Sequence, residues 1–191
     1  MFAPSHHQAM RFVVPVRKEL GVRTIFNFLG PLTNPAGATR QLIGVSEPAY
    51  QETIAGALRV LGAQRALVVS SEDGLDEMST SGTTRVVELD GDRIERWTVS
   101  PGELGLERAA PEAVAGGSPA ENASVTVEIL EGRAGPPRDL AVLNAGAAIY
   151  ASGRADSLAD GVAIAGEAID SGAARATLER FVARTRELAG P

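Results

Sequence analysis

Apolar and polar positions divide the chain into an irregular N-terminal stretch, a region of alternating strands and helices, and a helical C-terminal half. Residues 41–45 and 65–70 form two short apolar runs typical of buried strands. Between them, residues 48–61 carry apolar side chains at helical spacing. A strand, a helix and a second strand in this order predict a parallel pair with a right-handed crossover.

Two more strands and four long helices are predicted after this unit. The strands cover residues 83–89 and 93–99 and flank Asp90-Gly91-Asp92, a sequence typical of a hairpin turn. Beyond residue 101, the helical pattern covers residues 118–130, 137–151, 157–170 and 173–188. We therefore predict an α/β fold with a mostly parallel sheet flanked by helices and a helix-rich C-terminal half.

The first 40 residues predict short helices and turns. Ser5 is placed to cap a first helix, and a second is predicted over residues 16–20 after Pro15. A third is predicted to begin at Thr24 and to end at Gly30. Loop is expected from there to the first strand.

Composition excludes several kinds of chemistry. The chain has 191 residues, 44% of them hydrophobic, a length and content typical of one globular domain. It has no cysteine, which excludes disulfides and a thiolate nucleophile, and its two histidines are the adjacent pair His6 and His7, which excludes a multi-histidine metal site. The net charge of −6 argues against broad contact with nucleic acid.

No segment has the pattern of a signal peptide or a membrane span. The first ten residues lack a charged segment followed by an apolar core. The longest apolar-rich run, residues 140–151, is too short to cross a bilayer and is interrupted by Asn144. We expect no membrane association and a cytoplasmic location. The motifs of serine hydrolases, P-loop proteins and dinucleotide-binding proteins do not occur either.

An acidic loop follows the second predicted strand. It carries four carboxylates, Glu72, Asp73, Asp76 and Glu77. Ligands bind outside the carboxyl ends of strands in α/β sheets, and carboxylate oxygens without histidine or cysteine suit Mg²⁺. A solvated acidic loop without a ligand explains the same residues equally well.

The N-terminal stretch offers a second candidate site. The guanidinium of Arg17 could clamp a carboxylate, and the imidazole of His7 could exchange a proton beside it. Taken alone, two such residues near a terminus are more often surface residues. The stretch 30–35, Gly-Pro-Leu-Thr-Asn-Pro, fits either a rigid pocket wall or a structured loop.

A series of short runs, in order along nearly the whole chain, resembles the anthranilate phosphoribosyltransferase family. The most specific run extends from Arg23 to Pro35. The other matching runs are Phe2-Ala3-Pro4, His7-Gln8-Ala9-Met10-Arg11, Pro15-Val16-Arg17, Leu20-Gly21-Val22, Gly44-Val45, Asp73-Gly74-Leu75-Asp76-Glu77, Gly116-Gly117 with Glu121-Asn122-Ala123, and Leu143-Asn144-Ala145.

The resemblance implies a glycosyltransferase (pentosyltransferase) of tryptophan biosynthesis. Its reaction is the transfer of phosphoribose from phosphoribosyl pyrophosphate to the amine of anthranilate. By resemblance, Arg17 holds the anthranilate carboxylate, and His7 and Pro31 line the same channel. Asp76 and Glu77 are implied to hold Mg²⁺ against the pyrophosphate. No catalytic residue is assigned.

The resemblance also implies that part of the family's site lies outside these 191 residues. In the family, a small helical domain and a glycine-rich pyrophosphate loop precede the Phe-Ala-Pro run. We therefore expect residues 1–191 to be the C-terminal part of a nucleoside phosphorylase/phosphoribosyltransferase-like catalytic domain, with low or no activity alone. The family's dimer contact lies mainly in the helical domain, so a homodimer is expected only where that domain is present.

Three other functions stay open at this point. One is a non-catalytic remnant that binds an aromatic acid. Another is a nucleic-acid-binding relative of the same fold, against which the excess of 24 acidic over 18 basic residues argues. The third is a related nucleoside phosphorylase, over which the run from Arg23 to Pro35 favours the anthranilate enzyme.

Overall fold

The structure, a computed structural model, describes residues 6–7, 10–21 and 26–189. Its helices and strands, in chain order, are α1 (Met10–Leu20), α2 (Phe26–Leu32), β1 (Arg40–Gly44), α3 (Gln51–Val60), β2 (Arg65–Ser71), β3 (Thr84–Asp90), β4 (Arg93–Val99), α4 (Pro119–Leu130), α5 (Pro136–Ser152), α6 (Leu158–Asp170) and α7 (Ala173–Ala189). Short 3₁₀ helices lie at Pro48–Tyr50, Pro101–Leu104 and Pro111–Val114. None of the described helices is long and apolar enough to cross a membrane.

The α/β class with flanking helices is confirmed, but the expectation of a mostly parallel sheet is wrong for the strands described here. The strand order is β1-β2-β3-β4, and the β1–β2 pair is parallel, as predicted from the crossover through α3. The β2–β3 and β3–β4 pairs are antiparallel. The reason is connectivity: a loop without a helix joins β2 to β3, and a tight turn at Gly91 joins β3 to β4.

The N-terminal helices differ from their predicted bounds. Pro15 lies inside α1 instead of before its first turn, and Pro31 lies inside α2 instead of after its end. Proline removes one helical hydrogen bond at each place, and at Pro15 the freed carbonyl belongs to Arg11, which is exposed and can bind water. Most of the helix predicted after Ser5 lies outside the described residues.

The sheet has a buried core on each face. On one face α5 and α6 pack over Leu67, Val69 and Val86, with Met78 completely buried among them. On the other face α3 packs over Val68 and neighbouring apolar residues. Strand β2 is buried on both sides, which explains why its sequence is a continuous apolar run.

A buried ionic cluster fixes the C-terminal end of α5 to the sheet. Arg65 on β2 donates to Glu88 on β3 at 2.7 Å, and Glu88 also accepts from the Trp97 indole at 2.9 Å and the Tyr150 hydroxyl at 3.1 Å. The Arg65 guanidinium lies 4.0 Å from the centre of the Tyr150 ring. Arg40 donates to the Ser152 carbonyl at the end of α5. Cations at a helix C-terminus stabilise it, so these contacts fix how α5 lies on the sheet.

Candidate functional site

The candidate site lies where the two parallel strands end. The carboxyl ends of β1 and β2 meet at one edge of the sheet, with Gly44 paired to Val69. The acidic loop begins directly after Ser71, at this edge. The fold therefore places the loop where ligands bind in α/β sheets.

Asp73 organises the acidic loop. Its carboxylate accepts hydrogen bonds from the Ser71 hydroxyl at 2.5 Å, the Ser79 hydroxyl at 2.5 Å and the Leu75 N–H at 3.2 Å. Partial burial acts to raise the pKa of Asp73, but the bonds from Ser71, Ser79 and Leu75 outweigh it and hold that pKa below its ordinary value. Asp73 is therefore an ionised part of the loop framework, whose own oxygens are already occupied.

The other three carboxylates of the loop differ in their partners. Glu72 forms an exposed ion pair with Arg85 at 3.4 Å. Asp76 and Glu77 are exposed, and neither forms an ion pair or side-chain hydrogen bond within the described part of the chain. Asp73 and Glu72 therefore already have partners, whereas Asp76 and Glu77 are available to bind a ligand.

Two features that the sequence did not reveal fix the backbone of this acidic pair. The Asp76 carbonyl lies so close to Gly44 that a Cβ on residue 44 would be 1.4 Å from its oxygen. Asn144 of α5 accepts a hydrogen bond from the Met78 N–H and donates one to the Met78 carbonyl, both at 2.9 Å. Asn144 could have been singled out as the amide within an apolar helix, because buried amides are nearly always hydrogen-bonded.

The donor set fits a hard cation such as Mg²⁺ better than zinc. Within residues 6–7, 10–21 and 26–189, no group of three or more His, Asp or Glu side chains could hold a metal ion. Mg²⁺ is usually bound by one or two carboxylates, with water and substrate phosphates completing its shell. The pair Asp76 and Glu77 suits that role, whereas a zinc site built from protein ligands would need more.

The predicted acceptor residues lie in the N-terminal helices. His7 is half-buried, and Pro31 is half-buried in α2. The adjacent Leu32 packs on the core between the sheet and α3, which ties α2 to the fold. Arg17 belongs to α1, but its side chain lies outside the part of the chain that is described. No described contact joins these residues to the acidic loop, so their roles stay predictions.

A second loop is also held by a side-chain amide. Asn122 accepts from the Gly117 N–H at 2.8 Å and donates to the Gly117 carbonyl at 3.2 Å. Ser118 and Glu121 form a reciprocal capping box at the start of α4. A Cβ on Gly117 would lie 2.7 Å from the Glu121 carboxylate, which would have to shift to admit a side chain there.

Comparison with known proteins gives a consistent family. A family model described as "Glycosyl transferase family, a/b domain" matches residues 1–175. The anthranilate phosphoribosyltransferase of Azorhizobium caulinodans is 53% identical over 189 residues, which cover 99% of this chain and 55% of the relative. The chain thus spans about half the length of the curated relatives that it matches.

Solved structures agree with the sequence match. The crystal structure of anthranilate phosphoribosyltransferase from Thermus thermophilus superposes with a TM-score of 0.88 at 49% identity, over 94% of this chain and 53% of that one. The Saccharomyces cerevisiae enzyme in complex with PRPP and Mg superposes with a TM-score of 0.84 at 30% identity, over 92% of this chain and 51% of that one. The resemblance first seen in the short runs is confirmed.

Proposed function

The chain belongs to the glycosyl transferase family, a/b domain, and from that premise we propose that it serves phosphoribosyl transfer from phosphoribosyl pyrophosphate to anthranilate. The observation that carries the proposal is that the carboxylates of Asp76 and Glu77, at the carboxyl edge of the parallel strands, are exposed and have no partner among the residues that the structure describes. The similarity to anthranilate phosphoribosyltransferases over nearly the whole chain supports it.

On the donor side, Asp76 and Glu77 would hold Mg²⁺. When bound, this ion supplies positive charge for a pyrophosphate leaving group. The chain's own residues contribute placement: Asp73 holds the loop closed, the Asp76 backbone carbonyl lies against Gly44, and the side chains of Asp76 and Glu77 are exposed. The S. cerevisiae enzyme, whose structure contains PRPP and Mg, is the similar protein that motivates this assignment.

On the acceptor side, Arg17, His7 and Pro31 would hold anthranilate. A guanidinium binds a planar carboxylate through two parallel hydrogen bonds, which fixes the ring as well as the charge. The aromatic amine is a weak nucleophile, so its orientation toward the ribose contributes more than its basicity. No covalent nucleophile from the protein is needed for such a displacement.

We propose that the 191 residues carry only part of this activity. The curated relatives extend well beyond the matched region, which is 55% of the Azorhizobium caulinodans protein. We propose that residues outside this sequence complete the donor site, and that the chain alone turns over slowly or not at all. With this activity we also propose a cytoplasmic location, where small charged metabolites are available.

Binding of anthranilate to the chain itself tests the acceptor half. Calorimetry should show binding of anthranilate that Arg17→Ala weakens about 10-fold or more, because a charged hydrogen-bonded pair is lost. Aniline, which lacks the carboxylate, should bind both proteins equally weakly. Arg180→Ala, an exposed arginine on α7, is the matched control and should bind like wild type. Equal anthranilate affinity in wild type and Arg17→Ala would remove Arg17 from this role.

A further inference from the structure

Asn144 is a polar side chain in the apolar middle of α5. It lies on α5 between Leu143 and Ala145 and is half-buried. Its amide oxygen accepts from the Met78 N–H, and its amide nitrogen donates to the Met78 carbonyl and, at 3.0 Å, to the Leu140 carbonyl. All three hydrogen bonds of this side chain are therefore made to backbone groups, two of them to Met78.

The geometry requires an amide. Satisfying the N–H and the C=O of one residue at once needs an acceptor and a donor side by side, which asparagine supplies. An ionised aspartate of the same shape would accept from the N–H but would repel the carbonyl. A leucine would fill similar space and leave two backbone groups without partners, which costs free energy when they are buried.

This contact lies directly next to the acidic pair. The Met78 side chain is completely buried in the core, so Met78 is anchored by its side chain and by its backbone. Two residues earlier, the Asp76 carbonyl is seated on Gly44. Asp76 and Glu77 thus belong to a short segment whose backbone is fixed at both ends while their carboxylates stay exposed.

We propose that Asn144 is a positioning residue for the carboxylates of Asp76 and Glu77. Asn144 binds the Met78 backbone and so connects the segment that carries the two carboxylates to α5. The Arg65–Glu88 cluster fixes α5 on the sheet, so the carboxylates are held in a defined position at the sheet edge. The inference rests on the proposed function in one respect, namely that these carboxylates bind a divalent cation.

The test compares N144D and N144L with wild type by two measurements. Hydrogen exchange of the amides at residues 72–79 should accelerate at least 10-fold in both variants, while exchange in β2 and β3 stays slow. Binding of Mn²⁺, a probe for Mg²⁺, measured by water proton relaxation should weaken about 10- to 100-fold, as is usual when a group that orients metal ligands is removed. N122D, which makes the same chemical change at the Gly117 clamp, is the matched control and should leave exchange at residues 72–79 unchanged.

A pH profile separates the hydrogen-bonding role from mere packing. A protonated carboxylic acid has a donor beside an acceptor, so protection of residues 72–79 in N144D, relative to N144L at the same pH, should increase as the pH falls through the pKa of the introduced carboxyl. No difference between the two variants at any pH would contradict an amide-specific clamp.

The remaining outcomes decide the inference. Unchanged exchange at residues 72–79 in both variants would overturn it, and so would unchanged Mn²⁺ affinity in variants whose loop exchange has accelerated. If wild type binds Mn²⁺ no better than D76N, Asp76 is not a metal ligand. The metal site of the proposed function is then wrong, and so is the statement that Asn144 positions metal ligands. The exchange result would still decide whether Asn144 holds the loop.

Discussion

Neighbouring carboxylates in the acidic loop have different roles because each has a different set of partners. Asp73 is tied to Ser71 and Ser79, and Glu72 is paired with Arg85, whereas Asp76 and Glu77 are exposed and unpaired among the described residues. Four acidic residues that look equivalent in the sequence therefore have three roles. Asp73 holds the loop, Glu72 forms a surface ion pair, and Asp76 and Glu77 are the candidate metal ligands.

This division predicts different effects for isosteric changes within one loop. In a form of the protein that binds the donor, D76N should weaken Mg²⁺-dependent binding of phosphoribosyl pyrophosphate about 10-fold or more, because a metal ligand loses its charge. E72Q, on the same loop, should have little effect, since exposed ion pairs contribute about 0–1 kcal/mol. Calorimetry at several Mg²⁺ concentrations makes the comparison, and equal effects of the two changes would contradict the assignment.

Asp73 gives the loop a pH dependence whose sign follows from its partners. Its pKa in the folded protein lies below the ordinary value of 3.8, so its stabilising contribution is present above that value and is lost as the pH falls through the lower folded pKa. Exchange of the Leu75 amide, corrected for intrinsic rates, should therefore accelerate below about pH 4. D73N should exchange faster at neutral pH and lack this transition, and a wild-type profile in D73N would show that the carboxylate does not hold the loop.

Position 44 leaves no room for a side chain, because the acidic loop lies directly against Gly44. A Cβ at this position would meet the Asp76 carbonyl at 1.4 Å, so Gly44→Ala must displace the loop, at a cost of about 1–3 kcal/mol. Gly56→Ala is the control, because a Cβ on Gly56 in α3 meets nothing within 4 Å. We expect the control to be neutral or stabilising by up to about 1 kcal/mol. Denaturant unfolding measures both, and equal stabilities would mean that the loop is not seated on Gly44.

At the scale of whole elements, α5 is the helix that connects the fold to the site. Its C-terminal end is fixed by Arg40 and Arg65, its middle holds Met78 through Asn144, and it crosses α6 closely at Gly146. A Cβ on Gly146 would lie 2.6 Å from the Val162 nitrogen, so the two helix backbones are in direct contact.

The close crossing predicts opposite effects for two glycines of α6. A Cβ on Gly161 would lie 2.3 Å from the Gly146 carbonyl oxygen, whereas one on Gly166 would meet only the tip of Arg138 at 3.9 Å. Gly161→Ala should lower the free energy of unfolding by about 1–3 kcal/mol, and Gly166→Ala should raise it by about 0.5–1 kcal/mol. Thermal unfolding checks both signs. A stabilising Gly161→Ala would show that the helices do not approach this closely.

The positions of the helices and strands were predictable from the sequence. The relative directions of paired strands were less predictable. From residue 40 onward, the bounds of every predicted strand and helix agree with the structure within a few residues, because apolar spacing reports burial directly. The hairpin predicted at Asp90-Gly91-Asp92 makes β3 and β4 antiparallel, as the structure confirms. The expectation of a mostly parallel sheet was wrong for the described strands because β2 and β3, which a loop without a helix joins, are antiparallel as well. The prolines of α1 and α2 were read as helix boundaries, although the helices pass through them.

At the scale of the whole molecule, the candidate site joins residues that are distant in the sequence. Asn144 and Met78 are 66 positions apart, so no local pattern could relate them. The acidic loop itself was predictable, since its four carboxylates follow a buried strand. The choice of Asp76 and Glu77 among them came from the family resemblance, and their separation from Asp73 depends on the folded loop. The carboxylates can thus be read from the sequence, while the contacts that hold them cannot.

The most direct test of the account is turnover by a chimera in which this chain replaces the matching part of the Thermus thermophilus enzyme. The measurement is the loss of anthranilate fluorescence after addition of phosphoribosyl pyrophosphate and Mg²⁺. We expect turnover that stops on chelation of Mg²⁺ and that needs about 10-fold or more donor or Mg²⁺ in the D76N chimera. A control chimera carrying the matching part of the Azorhizobium caulinodans enzyme, 53% identical to this chain, tests the junction. An active control beside a folded but inactive chimera of this chain would contradict the proposed function.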